Sequence, residues 1–282
     1  PPWSSAWYNP LMDLSTLQTL FIDGDGVLWH TDTPVPGLTH FFDVINARGI
    51  RYALLTNNSS RTAEHYAAKM TSFGVPFSPD LVFTSGTVSA AYLRQHFPPP
   101  ASVYVIGEMG LLETLWKAGY RLYNGTNDQA PEKVDAVVVG IDRDLNWGKL
   151  SAAHILIKRG AAFIGTNPDP NVPSPDGILP GAGCILAALQ ASTGVSPIVM
   201  GKPERGIYEE AMIAFDATPS TTAMLGDRLE TDILGGQRAG IGTILVLTGV
   251  TSRERLNGHN IKPDLVFDDI SALALEIERV RS

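Results

Sequence analysis

Leu20-Phe21-Ile22-Asp23-Gly24-Asp25-Gly26 reads as a short buried strand that runs straight into two carboxylates and two glycines. Three more apolar runs end in the same way. Leu54-Leu55 leads into Thr56-Asn57-Asn58-Ser59-Ser60, Val199-Met200 into Gly201-Lys202-Pro203, and Met224-Leu225 into Gly226-Asp227, with Asp232 five residues further on. Parallel α/β sheets bind ligands outside the carboxyl ends of their strands. Four strand ends that turn small, polar or charged therefore predict a parallel sheet with a site along one edge. A type I′ hairpin is the competing reading of Asp-Gly. Against it, Val27-Leu28-Trp29 leads into Thr33-Pro34-Val35-Pro36, which makes a poor partner strand.

Outward from these motifs, short apolar runs alternate with helical patterns, the mark of an α/β fold. Leu20–Ile22, Tyr52–Leu55, Leu81–Phe83, Ile198–Met200, Ala223–Leu225, Thr243–Leu247 and Leu265–Phe267 predict strands. A second set, Val103–Ile106, Ala136–Val139 and Ala162–Ile164, lies in the middle of the chain. Helical spacing marks Arg61–Phe73, Leu145–Lys158 and Pro203–Phe215, the last opening with proline at its first position. The strand count and the breaks at Pro98-Pro99-Pro100 and Ser192–Pro197 predict a discontinuous core, 1–98 and 197–282, interrupted by an inserted α/β domain, 99–196. Two sequential domains cut near residue 98 form the simpler alternative.

The 282 residues are 44% hydrophobic and 18% charged, which suits a globular protein with a sizeable core and excludes disorder. No run approaches the ~18 unbroken apolar residues of a membrane span. A net charge of −8 argues against a nucleic-acid surface. One cysteine, Cys184, excludes a disulfide framework and a thiolate metal cluster and suits a reducing cytoplasm. In its Ala/Leu-rich setting it reads as a buried small hydrophobe. The opening PPWSSAWYNPLMDL lacks a basic stretch followed by an apolar one, so no secretory signal is expected there, and without an initiator methionine the sequence reads as trimmed. Walker, G-x-S-x-G and H-E-x-x-H motifs are absent. Asn167-Pro-Asp169-Pro-Asn171 imitates an EF-hand start, but Val172 occupies the glycine position. Gly181-Ala-Gly183 reads as a helix start rather than a dinucleotide fingerprint.

Asp23 and Asp25, one residue apart, suit a nucleophile that forms an acyl-phosphate and a proton shuttle for the departing oxygen and then for water. Gathered at one edge, Asp23, Asp25, Asp227 and Asp232 would repel by roughly 4 kcal/mol per pair at 4 Å and an effective dielectric of 20. Such a cluster needs cations. Lys202 is one, and a divalent metal held by oxygens alone is the second, which favours Mg²⁺ over Zn²⁺. Thr56, Asn57 and Asn58 offer a hydroxyl, amides and backbone N–H groups for anionic oxygens near a helix start, or else an Asx turn.

The ordered set Asp23-Gly-Asp25-Gly-Val, Thr56-Asn-Asn, Gly201-Lys202-Pro and Gly226-Asp227-Arg-Leu-Glu-Thr-Asp232 resembles the haloacid dehalogenase superfamily over nearly the whole chain. Thr166-Asn167-Pro-Asp169 and Pro180-Gly-Ala-Gly183 are similar to the subfamily of p-nitrophenyl phosphatases and NagD-like proteins, which also holds phosphoglycolate and pyridoxal-phosphate phosphatases. The resemblance implies a Rossmann-like core with an α/β cap inserted between the second and third motifs. It also implies Mg²⁺-dependent hydrolysis of small-molecule phosphomonoesters through an aspartyl-phosphate.

On that likeness Asp23 is the nucleophile and a metal ligand, and Asp25 is the general acid/base and offers its carbonyl to the metal. Thr56, Asn57 and Asn58 hold phosphoryl oxygens, and Lys202 neutralises the nucleophile and the phosphoryl group. Asp227 ligates Mg²⁺, while Asp232 acts through water or by orienting its neighbours. The family's dehalogenases lack the second aspartate, so Asp25 selects phosphoester chemistry. Pyridoxal-phosphate phosphatases carry a histidine shortly after Thr-Asn-x-Asp, about where Val172 stands, which argues against that substrate and leaves Asn171, Val172 and Asp176 as candidate substrate contacts. Relatives with this cap are often homodimers joined through it. A phosphotransferase or phosphomutase using the same aspartates is the alternative. A non-catalytic binding module would carry a broken motif, and none of the four is broken.

Overall fold

The computed structural model describes residues 12–174 and 177–280. They form two compact units: the described residues to Leu55 with Ala67–Leu81 and the chain from Tyr208 onward, and Thr56–Tyr66 with Val82–Ile207.

The first unit is built on a parallel sheet in the order Leu265–Phe267, Gly242–Val246, Thr222–Gly226, Thr19–Ile22, Arg51–Thr56. Thr19–Ile22 is buried along its whole length, which explains why it reads as an unbroken apolar run rather than an alternating one. Its neighbours in the sheet are far apart in sequence. Ile22 is in register with Leu54 on one side and with Leu225 on the other. The strand order therefore reverses at Thr19–Ile22, and the crevice outside its carboxyl end is the switch point at which doubly wound sheets bind ligands. The helices Leu38–Ala47 and Ile270–Val280 of this unit pack against each other.

The second unit has its own five-stranded parallel sheet, ordered Ile198–Val199, Ala162–Gly165, Ala136–Val139, Ser102–Ile106, Arg121–Tyr123. Its core joins Tyr104, Ile106, Val137, Val139 and Phe163 to Leu156 and Ile157 of one helix and Ile185, Leu186 and Leu189 of another. Those helices, Trp147–Lys158 and Ala182–Thr193, begin at Asn146, whose side chain accepts from the Lys149 N–H, and at Gly181.

The α/β class and every expected strand are present, and four details differ from the sequence reading. Ile198–Val199 extends the middle sheet by pairing with Ala162–Gly165, although its position after the second break had placed it with the core strands. Partner choice is a long-range matter that a two-residue apolar run does not encode. The proline run forms a turn between Ser85–His96 and Ser102–Ile106 inside the second unit rather than a division between units. Arg121–Tyr123, too short and polar at its first residue to register as a strand, forms one edge of the sheet. Finally, Thr33–Pro34 does pair, antiparallel with Trp29–His30, in a two-residue ribbon whose turn at Thr31-Asp32 lies beyond the Asp-Gly pairs.

Candidate active site

Asp23 continues its strand by one hydrogen bond, its N–H donating to the Leu225 carbonyl at 2.9 Å. This fixes where its side chain leaves the sheet and sets it beside the chain that becomes Asp227. The carboxylates of Asp23, Asp227 and Asp232 offer oxygens that all lie within 4.8 Å of one another. Asp23 is half-buried, and Asp227 and Asp232 are buried. At that spacing the Coulomb repulsion is about 3 kcal/mol per pair for an effective dielectric of 20.

The surroundings hold these groups in place despite the repulsion. One Asp227 oxygen accepts the Val250 N–H at 2.6 Å, and the Asp227 carbonyl accepts the Thr251 N–H at 3.1 Å. Two glycines make room for that carboxylate. A Cβ on Gly249 would come within 1.9 Å of Asp227 Oδ2, and one on Gly26, where φ is +84°, within 2.6 Å. Asp232 lies in the π-helical turn Leu229–Ile233, which points it back at its own strand. Its carboxylate accepts the Arg228 N–H at 3.1 Å, and a Cβ on Gly226 would meet its own Cβ at 2.2 Å. The fully buried Tyr208 phenol donates toward the Asp232 carbonyl at 3.3 Å. Burial first, and then the charges of Asp232 and Asp23, push that phenol well above its ordinary pKa. It stays a neutral donor.

Three converging carboxylates with no nitrogen or sulfur donor among them form a hard-oxygen set, a donor chemistry that fits Mg²⁺ better than Zn²⁺. The group of three takes in Asp232, whereas the exposed Asp25 carboxylate is outside it. One Asp25 oxygen instead accepts the indole N–H of Trp29 at 2.9 Å.

In the second unit, Asn57 and Lys202 come together. The Asn57 side chain accepts the Lys202 N–H at 2.7 Å and donates to the Lys202 carbonyl at 2.8 Å, so one amide pins both polar groups of that residue's backbone. Lys202 is 2% exposed, which makes it one of the largest buried side chains. Gly201 is required beside it, since a Cβ there would lie 2.4 Å from the Thr166 carbonyl oxygen. The Ser85 hydroxyl donates to the Asn57 carbonyl at 2.7 Å, and the Ser59 and Thr166 hydroxyls pair at 3.2 Å. Thr56 ends its strand and accepts the Asn58 N–H at 3.2 Å, while the Asn58 side chain accepts the Ser60 N–H at 2.9 Å, as in an Asx turn. In this loop the turn accounts for the N–H groups of Asn58 and Ser60.

Sequence reasoning missed Trp29, Ser85, Gly201 and Gly249 as supports. Of these, only Gly201, placed directly beside Lys202, carried a signal that could have found it. Asn171 and Val172 open a hairpin, Asn171–Ser174 with Gly177–Pro180. Asn171 is exposed, and Val172 lines a cavity of about 510 Å³ with Ile141, Leu145, Leu179 and Ile185. Asp176 lies outside the described residues. Cys184 also lines this cavity and is exposed, contrary to expectation. Its helix turns Ala182, Ile185, Leu186 and Leu189 inward, and Cys184 falls off that face.

Residues 20–121 match the family model for haloacid dehalogenase-like hydrolases, and 199–273 match a second one described as HAD-hydrolase-like. The chain is 38% identical to the 5′-nucleotidase YutF of Bacillus subtilis over 258 residues, 92% of this chain and 98% of the relative. It is 37% identical to the acid sugar phosphatase of Staphylococcus aureus, over 92% and 97% of the two chains. Among solved structures, the 4-nitrophenylphosphatase of Thermotoga maritima superposes with a TM-score of 0.86 at 34% identity, covering 94% of this chain and 98% of that one. The p-nitrophenyl phosphatase of Archaeoglobus fulgidus gives 0.86 at 32% identity, over 92% and 99%.

Proposed function

We propose, from the premise that this chain belongs to the haloacid dehalogenase-like hydrolases and is a phosphoric monoester hydrolase, that it cleaves small-molecule phosphomonoesters through an aspartyl-phosphate with Mg²⁺. The observation that carries this reading is the cluster of Asp23, Asp227 and Asp232 at the switch point of the sheet. Asp23, Asp227 and the carbonyl of Asp25 would hold the metal, with Asp232 supporting them. When bound, the metal supplies positive charge that offsets the carboxylates and polarises the phosphoryl oxygens.

The chain's own residues do the rest. A carboxylate oxygen of Asp23 attacks phosphorus while the bond from phosphorus to the leaving oxygen breaks. Asp25 gives its proton to that oxygen, and the alcohol departs. Asp25 then takes a proton from the water that attacks the aspartyl-phosphate, which releases phosphate and restores the Asp23 carboxylate. Lys202 neutralises charge on the phosphoryl group. Thr56 and Asn58 hold its oxygens, and Asn57 joins them through its backbone N–H while its side chain is committed to Lys202.

In this reading selection of the leaving group falls to residues 99–196, which lie within the second unit and for which the apolar wall around Val172 offers a suitable surface. The names of the relatives favour nucleotide, sugar and aryl monoesters, and kcat/KM across a panel of these would rank them.

Rapid mixing with a ³²P-labelled monoester and quenching in acid tests the mechanism. Label is expected on the peptide containing Asp23, discharging to water and not to an added alcohol or sugar. Label on another residue, or transfer to the acceptor alone, would overturn the reading.

Gly249→Ala gives a second check. The added Cβ collides with the Asp227 carboxylate and displaces it, and a displacement near 1 Å costs about a hundredfold in rate. We expect kcat/KM to fall by about that factor while the cooperative melt persists. Near-wild-type activity would show that Asp227 does not need the position it occupies.

A further inference from the structure

We propose that Trp29 is a positioning residue for Asp25, fixing which carboxyl oxygen carries the proton that the leaving group receives, and that Lys69 holds the indole in place for this. The inference rests on the acid/base role read above for Asp25. Trp29 is 1% exposed, and its indole N–H donates to Asp25 Oδ1 at 2.9 Å. An indole nitrogen can only donate. Oδ1 is therefore committed to accepting this bond, most strongly as the carbonyl-type oxygen, and the hydrogen of the neutral carboxyl group is assigned to Oδ2.

The segment is built around this contact. The N–H groups of Val27, Leu28 and Trp29 all donate to the Gly24 carbonyl, and the Gly26 N–H donates to the Trp29 carbonyl at 2.8 Å, so the loop folds Trp29 back onto residues 24–26. A Cβ on Gly24 would meet the indole at 2.3 Å, which accounts for glycine between the two aspartates. Lys69 Nζ lies 4.8 Å from the centroid of the Trp29 ring and 5.9 Å from that of Phe73, and it donates to the Thr31 carbonyl. A cation over the indole face is attracted to the ring and locks its orientation; drawing electron density from the ring also makes its N–H a better donor.

The readout that separates positioning from mere packing is dependence on the leaving group. A sugar alkoxide is a poor leaving group and needs a proton as it departs, whereas 4-nitrophenolate leaves without one. In Trp29→Phe, kcat/KM for a sugar phosphate is expected to fall about 10- to 100-fold, within the usual contribution of general acid catalysis, and that for 4-nitrophenyl phosphate about threefold or less. Equal losses on the two substrates would overturn the proposal. Should Trp29→Phe melt below the assay temperature, Lys69→Met decides. It keeps the side-chain stem and removes the charge, and a selective loss on the sugar phosphate supports the proposal while an unchanged ratio overturns it. Asp23→Asn, run in parallel, keeps the two failures apart. Turnover by that variant sinks the aspartyl-phosphate reading, and silence there with unselective Trp29→Phe sinks only this inference.

Discussion

Asp23→Asn is expected to eliminate turnover of 4-nitrophenyl phosphate, by roughly a thousandfold or more, as removal of a covalent nucleophile does. The amide has the same shape as the carboxylate but no anionic oxygen with which to form an acyl-phosphate. The fold has no reason to suffer. The Asp23 N–H bond to Leu225 belongs to the backbone and survives the change, and the side chain is only half-buried. Removing one of three carboxylates within 4.8 Å of one another also relieves repulsion of about 3 kcal/mol per pair. In metal-free buffer the variant should therefore melt at or above the wild-type temperature while being inactive. Phosphate release and a thermal melt measure the two halves of this prediction. Activity within tenfold of wild type would remove Asp23 from the nucleophile's role.

Chelation is expected to have an effect of the same order and to be reversible. EDTA should silence the enzyme, and Mg²⁺ in excess should restore it. A ligand that binds only the folded state stabilises it by about 2.7 kcal/mol at a hundred times its dissociation constant, so Mg²⁺ should also raise the melting temperature. Asp227→Asn should weaken that rise, since Asp227 is buried with its carboxylate fixed by Val250 and hemmed in by Gly249. Full activity in EDTA, or a melting temperature indifferent to Mg²⁺ in the wild type, would show that the carboxylates are stabilised by some other means.

The aspartates were legible because their signal is local. A short all-apolar run bounded by turn residues fits a strand buried on both faces, and the first polar residue after it then falls at the strand's end. That reasoning placed Asp23 after Thr19–Ile22 and Asp227 just beyond Thr222–Gly226, and the structure pairs those strands in register. Asp232 was less legible. Its place in the carboxylate cluster depends on the π-helical turn Leu229–Ile233 and on the absence of a side chain at Gly226, neither of which has a periodic signature. Cys184 misled because an Ala/Leu-rich helix has no marked polar face from which to judge which side is exposed. Asn57 was recognised as a site residue, but its two bonds to the Lys202 backbone join positions far apart in the chain and could not be foreseen.

By itself, then, the sequence determined the α/β class, the strands and the acidic chemistry at their ends, because burial and backbone geometry act over a few neighbouring residues. Tertiary structure alone decided that Ile198–Val199 joins the middle sheet, that Asp232 rather than the Asp25 side chain completes the carboxylate group, and that Trp29 turns back onto Asp25. Each of those outcomes depends on which distant surfaces meet and how closely a glycine lets them approach, and such contacts leave no periodic trace in a single chain.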